Sequence, residues 1–272
     1  MALFLTFSVT FMIHKGMTTS SPTVKTKSLS MREIALAVKE PIKEQQEQTQ
    51  SIQKQTIQNQ TPQKQQVTSI PMQKQPIAAT SKILNVALIN QLDPPRLYNG
   101  CEVTSLAMIL NYNGYHVTKN VLAKSIKRVP LIYSNGLKGN PNVGFVGNME
   151  TGPGYAVYNG PIYNLARQYA GAKAINLTNH SFNDILNRVS QGEPVWIITT
   201  ETFAPVSNFE RWHTPQGTIQ ITFKEHSVVI TGYDHNYIYI NNPYGEKNER
   251  VNRRSFEEAW EQMGKQAIVI IK

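Results

Sequence analysis

The sequence predicts an α+β domain in which helices come first and an antiparallel sheet follows, carried behind a long polar segment. Three observations lead there. Residues 14–80 lack a sustained apolar period and almost lack aromatics, whereas 81–272 carry both. Helical spacing and caps cluster in the first half of that second region. Short β-branched and aromatic runs separated by turn residues fill its last third.

The N-terminal "MALFLTFSVTFMI" (1–13) is an apolar run shorter than the roughly 20 residues that span a bilayer. It fits an export signal or a short anchor, although no basic residue precedes it and no small-x-small site follows. Residues 14–80 contain thirteen glutamines between Gln45 and Gln75, with Gln-Lys-Gln at 53–55, 63–65 and 73–75. Such a stretch buries too little apolar surface to offset its ordering entropy and reads as a disordered tether. It holds nine Lys/Arg against four acids, a surplus suited to weak contact with an anionic surface. The remaining 192 residues carry 18 bases and 14 acids, well mixed, which argues against a nucleic-acid partner. Together these features point to a secreted or envelope-associated protein. The single cysteine leaves the redox compartment open.

"ILNVALINQ" (83–91) reads as a first strand and "DPPRLYNG" (93–100) as a loop, since its prolines exclude regular structure. A helix is predicted from about Gly100 to Asn113, with Asn99 as N-cap, Glu102 completing a capping box, and Gly114 as its stop. From Leu131 to Gly160 the chain is rich in glycine and asparagine. Its length and its aromatics Phe145, Tyr155 and Tyr158 make 136–160 a candidate substrate-rim loop. Helices follow from Pro161 to Ala170 and from Ser181 to Gly192. Strands are predicted at 194–200, 218–223, 226–233 and 237–241. Ser255 and Glu258 cap a short helix, and "QAIVIIK" closes the chain as a strand.

Cys101 falls in the first turn of its helix, where free amides and the helix dipole favour a thiolate. Gly100 beside it would let a substrate backbone approach. The competing reading is a small buried thiol. Of six histidines, His226 alone stands at the start of an apolar strand. A hairpin turning near residue 234 or 235 pairs residues whose numbers sum to about 468–470, so His226 lies across from Asn242 or within two residues of it. An amide there would hold one ring nitrogen and leave the other for a thiol. Gln91, ten residues before Cys101, has the position to share an oxyanion with the Cys101 amide, or simply to face water. Trp212 and His213 are candidates for the opposite wall. With no cysteine pair, no HExxH and scattered histidines, neither metal nor cofactor is expected.

The order of glutamine, cysteine at a helix start, histidine at a strand start, and Asn after the next strand is that of papain-like peptidases. Within that group, "NGCEVTSLAMILNYNGY", "KGNPNVGFVGNMETGPGYAVYNGPI", "EHSVVITGYDHNYIYINNPYG" and "FEEAWEQMGKQAI" resemble the C39-like, or bacteriocin-leader-peptidase-like, family over residues 83–272. The resemblance implies a papain-like fold and a thiol hydrolase acting on a peptide or other amide bond. Cys101 would be its nucleophile, His226 its base and then acid, Asn242 the residue orienting the ring, and Gln91 part of the oxyanion hole. The family's usual Asn-Asp-Pro is here Asn241-Asn242-Pro243, so a neutral amide stands where a carboxylate is expected. Two alternatives remain open at this point: a cell-wall amidase or endopeptidase on the same Cys–His pair, or a binding module that keeps the fold without the chemistry.

Overall fold

The computed structural model describes residues 81–272; the apolar run 1–13 and the tether 14–80 lie outside the described residues. The first elements are β1 (Lys82–Ile83), α1 (Cys101–Tyr112), α2 (Lys119–Ser125), β2 (Arg128–Val129) and β3 (Phe145–Val146). Next come α3 (Asn159–Ala170), β4 (Ala174–Asn176), α4 (Phe182–Ser190) and β5 (Val195–Thr200). The chain ends with β6 (Glu210–Thr214), β7 (Gly217–Ile221), β8 (Glu225–Tyr233), β9 (Tyr237–Asn242), β10 (Glu246–Asn252), α5 (Arg253–Gln262) and β11 (Ala267–Ile270).

The main sheet has the order β10-β9-β8-β5-β11-β4, antiparallel throughout, with β1 added at the far end of β8. Its central strands β5 and β8 are almost continuously buried, with the apolar runs Val195–Ile198 and Val228–Ile230 at their core. In β9, Ile238 and Ile240 are buried while Tyr237 and Tyr239 are half-exposed, the period-two signature of a sheet with one covered face. α1 packs on β8, and Cys101–Leu110 are all buried. Two hydrogen bonds fix it to the sheet. Ser105 Oγ donates to the Ser227 carbonyl (3.1 Å), and the Trp196 indole donates to the Glu102 carbonyl (3.0 Å). The α+β class is therefore as the sequence predicts, whereas α2, β2, β3, β4, β6 and β10 are elements its patterning does not disclose.

Several local expectations change. α1 is capped by Gly100 without a side-chain bond, because the Asn99 amide donates instead to Asn148 and Glu102 turns inward. Tertiary partners have outcompeted the capping box. Of 83–91 only Ile83, with Lys82 before it, joins a ladder; beyond it the Leu84 amide bonds the Thr231 carbonyl and the Gln91 amide bonds the Pro243 carbonyl. Asn252, not Ser255, caps α5 by accepting the Ser255 amide (3.0 Å). β6 and β7 form a separate hairpin, whose Trp212 and Ile221 pack with Val129, Val146 and Tyr155 in a small second cluster. By contrast the Ser181–Asp184 capping box of α4 forms in full. Among the described residues no helix is long and apolar enough to cross a membrane.

Candidate active site

The loop before α1 is held by its own backbone and by Gln91. The Gln91 Nε2 donates to the carbonyls of Leu97 and Tyr98, both at 3.1 Å, and the Leu97 amide returns to the Gln91 carbonyl at 2.9 Å. The Asn99 amide then bonds the Met149 carbonyl. Leu97 closes over Gly100 so tightly that a Cβ there would lie 2.5 Å from Leu97 Cβ. Gly100 thus serves the packing of this loop, and Cys101 emerges as the first helical residue with 8% of its surface exposed.

Two groups meet its sulfur. The thiol donates to Glu102 Oε2 (3.4 Å), and the backbone N–H of Ser227, the residue after His226, donates to the sulfur. His226 is the second residue of β8, and its ring is all but fully buried. Its Nε2 is 2.9 Å from Asn242 Oδ1. The hairpin register places Val229 opposite Asn241 and Ile230 opposite Ile240, sums of 470, so Asn242 falls within two residues of the position facing His226.

The Asn242 amide decides the histidine tautomer. Its Nδ2 donates to Glu249 Oε2 (2.8 Å), and its Oδ1 also accepts the Tyr244 amide (3.1 Å). The oxygen therefore faces the imidazole, and Nε2 must carry the proton it donates. Nδ1 is left with its lone pair, buried and without a hydrogen-bond partner. Tyr244 stacks on the imidazole with ring centroids 4.6 Å apart and 9° between planes. Its phenol is pushed up to about 12 by burial and then by the charges of Cys101 and the acidic groups.

Two acids flank the thiol, Glu102 buried and Glu225 half-buried. Glu102 is fully buried, its Oε1 accepting the Val157 amide at 2.6 Å, and burial raises its carboxyl from 4.5 to about 7. Burial, then the charge of Glu102, pushes the Glu225 carboxyl well up, and its Oε1 has no hydrogen-bond partner. Tyr155 and Tyr158 share a hydroxyl–hydroxyl bond (3.0 Å) near these carboxyls, and burial raises both phenols. The Cys101 sulfur and carboxyl oxygens of Glu102 and Glu225 lie within 4.8 Å of one another. That grouping offers cation ligands only when all three are ionised, a form that burial disfavours for each.

Two expectations are reversed here. The sequence places the thiol where the dipole of α1 favours a thiolate; burial, followed by Glu102 and Glu225, instead pushes the Cys101 thiol well above its ordinary value. His226 moves the other way, from 6.5 to about 4, chiefly through burial. The resting pair is therefore neutral thiol and neutral imidazole. Gln91, moreover, is not a free donor aimed at an oxyanion, because its amide nitrogen donates to Leu97 and Tyr98.

A family model, the Peptidase_C39 like family, matches residues 83–268. The chain belongs to the peptidase C39-like family. A protein of Bacillus subtilis (strain 168), the uncharacterized YvpB, is 58% identical over 199 residues, covering 73% of this chain and 80% of its own. The crystal structure of a proposed C39-like peptidase from Bacillus anthracis superposes with a TM-score of 0.68 at 47% identity, covering 71% of this chain and 98% of its own. Papain-like architecture is thus shown at the family level.

Within this C39-like frame the structure brings Cys101, His226, Asn242 and Gln91 to one end of α1 and β8. Trp212 is not an open wall: it is buried against Tyr155, with ring centroids 5.2 Å apart, and His213 bonds Thr218 across the β6–β7 hairpin. The 136–160 segment reaches the site through Val157, whose amide bonds Glu102. Sequence reading takes Glu102 only as a cap and passes over Glu225, Tyr244 and Glu249. For Glu102 and Glu225 a signal exists, since one acid directly follows Cys101 and the other directly precedes His226. Glu249 has none, because its role depends on a strand pairing that its polar surroundings conceal.

Proposed function

We propose that this chain is a thiol hydrolase that cleaves a peptide or other amide bond through an acyl-thioester on Cys101. The observation that carries the reading is the unpartnered Nδ1 of His226, turned into an acceptor by the Asn242 oxygen bound at Nε2. Cys101 supplies the sulfur at the opening of α1, one hydrogen bond from the residue next to that histidine.

The reaction starts from the neutral pair. As the sulfur attacks the substrate carbonyl, the thiol proton passes to His226 Nδ1, giving an imidazolium whose Nε2–H stays on Asn242. The free first-turn amides of α1, beginning with that of Cys101, meet the developing oxyanion. The imidazolium then protonates the leaving amine as the C–N bond breaks, which leaves the acyl-thioester. Water, deprotonated by the same Nδ1, releases the acid and restores the thiol. The proton moves during attack rather than before it, so the free enzyme holds an unreactive thiol until substrate displaces water from the site. The apolar residues 1–13 and the basic tether support export to the envelope, where both peptides and wall fragments are met.

The test is incubation of the full chain and of Cys101→Ala with a peptide library and, separately, with purified wall fragments, read by mass spectrometry. New termini in one pool, together with an acyl adduct on Cys101, are expected for the wild type alone. Cleavage confined to wall fragments would assign the wall-directed substrate class. Identical products from wild type and Cys101→Ala in both pools would refute the hydrolase reading and leave a binding module.

A further inference from the structure

β10 departs from regular pairing at one place. Glu246 pairs with Asn242 and Glu249 with Ile240, so the two residues between them form an irregularity in the ladder. Within it, Asn248 has φ 51°, the left-handed region that non-glycine residues rarely occupy. Asparagine tolerates it best, and here it is held from two sides. Asn241 Oδ1 accepts the Asn248 amide (3.1 Å), and Thr231 Oγ1 donates to Asn248 Oδ1 (2.8 Å). Asn241 is itself tied to the Val86 carbonyl (3.0 Å). Such bulges bend a strand and re-aim the next side chain along it. The residue after Asn248 is Glu249, whose Oε2 receives the Asn242 Nδ2.

We propose that Glu249 is a positioning residue for the reaction, acting through Asn242. Its carboxylate accepts from the amide nitrogen, turns the amide oxygen toward His226, and keeps the imidazole in the Nε2–H form with Nδ1 unprotonated. It also sets a negative charge behind the neutral Asn242 amide, one residue removed from the imidazole. The row is His226, Asn242, Glu249, closed by two hydrogen bonds of 2.9 and 2.8 Å. This rests on the hydrolase reading only for its effect on turnover; its effect on the ring is independent of any substrate.

The inference makes Asn242 and Glu249 mutually dependent. Asn242→Asp alone, although it restores the usual family residue, sets two carboxylates at hydrogen-bond separation. They hold one proton between them and repel once it is lost. Adding Glu249→Gln supplies an amide donor to the introduced carboxylate and removes that conflict.

The experiment uses the full chain labelled with 15N-histidine, with Glu249→Gln, Glu249→Leu, Asn242→Asp and the double variant Asn242→Asp with Glu249→Gln. NMR reads the His226 tautomer, and backbone amide spectra confirm folding. Wild type and Glu249→Gln, which keeps an acceptor, should show the Nε2–H form. Glu249→Leu should show a mixture, since only the Tyr244 amide then holds the oxygen, and kcat should fall roughly five- to tenfold at constant KM, the worth of about one hydrogen bond. On the cleaved substrate the double variant should exceed Asn242→Asp by roughly tenfold at pH 8, and by much less at pH 5, where the shared proton is retained. A tautomer indifferent to Glu249→Leu, or a double-to-single ratio near one at both pH values, overturns the proposal. Should no substrate be cleaved by any variant, the tautomer shift alone decides it, while the hydrolase reading fails separately.

Discussion

Replacing Glu102 by glutamine should make the protein more stable at alkaline pH and leave it unchanged near pH 4.5. Glu102 is wholly buried, accepts the Val157 amide and the Cys101 thiol, and has its carboxyl raised from 4.5 to about 7. The folded state therefore holds a proton that the unfolded chain has already released. Stability from this group is full below about 4.5, falls as pH rises, and is lost above about 7. At 1.36 kcal/mol per unit that loss is roughly 3 kcal/mol. Glutamine keeps an oxygen for Val157 and cannot ionise. Relief of Glu225 from its neighbour's charge acts in the same direction. For a domain of this size each kcal/mol moves Tm by about 2–4 °C, so Glu102→Gln should melt about 6–12 °C higher than wild type at pH 8.5. The assay is thermal unfolding of both full chains from pH 4.5 to 8.5, with the difference between them plotted so that other titrations largely cancel. A difference that is flat with pH, or a variant less stable at pH 8.5, would refute the reasoning.

The site carries three further expected outcomes. Cys101 should alkylate slowly at pH 7–8 in the wild-type chain, and Glu102→Gln, by removing a neighbouring charge that raises the thiol and is carried above about pH 7, should speed it several-fold at pH 8 as read with iodoacetamide; an unchanged rate would dismiss the electrostatic account. Gln91→Glu replaces a donor by an acceptor facing the Leu97 and Tyr98 carbonyls, and should lower stability by about 2–4 kcal/mol in urea titrations. A drop in kcat at constant stability would instead restore the oxyanion role expected from the sequence. Gly100→Ala forces Leu97 away from the start of α1 and should cost about 1–3 kcal/mol, with slower turnover at little change in KM.

The sequence discloses whatever local periodicity and pairwise register carry. The run "CEVTSLAMILNY" is a helix because its apolar spacing is helical, and β5, β8, β9 and β11 are strands because their β-branched and aromatic runs are bounded by turns. The His226–Asn242 contact comes from a tight hairpin, since its turn sets the register within two residues. β10 escapes because "EKNERVN" has little apolar content; it is an edge strand whose partners, not its own composition, make it a strand. The capping box at Asn99 and Glu102 fails for the opposite reason. Its local chemistry is correct, but the Val157 amide and the Cys101 thiol, distant or buried, claim the carboxyl instead.

The same distinction governs the chemistry. Which cysteine and histidine are candidates for nucleophile and base is a property of type and order along the chain, and it is legible. Their protonation is a property of burial, which only the folded packing sets. A helix terminus lowers a thiol pKa through partial charges effective within one turn, worth at most about 2 kcal/mol in partly buried geometries. Complete burial beside two carboxyl groups opposes that with a larger penalty, and it acts on His226 with the opposite sign because there the charged form is the protonated one. Both shifts favour the neutral pair. The pair thus sits where neither partner is ionised at neutral pH, and the proposed hydrolysis would have to draw on geometry. The imidazole's unpartnered Nδ1 would supply that geometry, with Asn242 bonded to the ring and Glu249 bonded to Asn242.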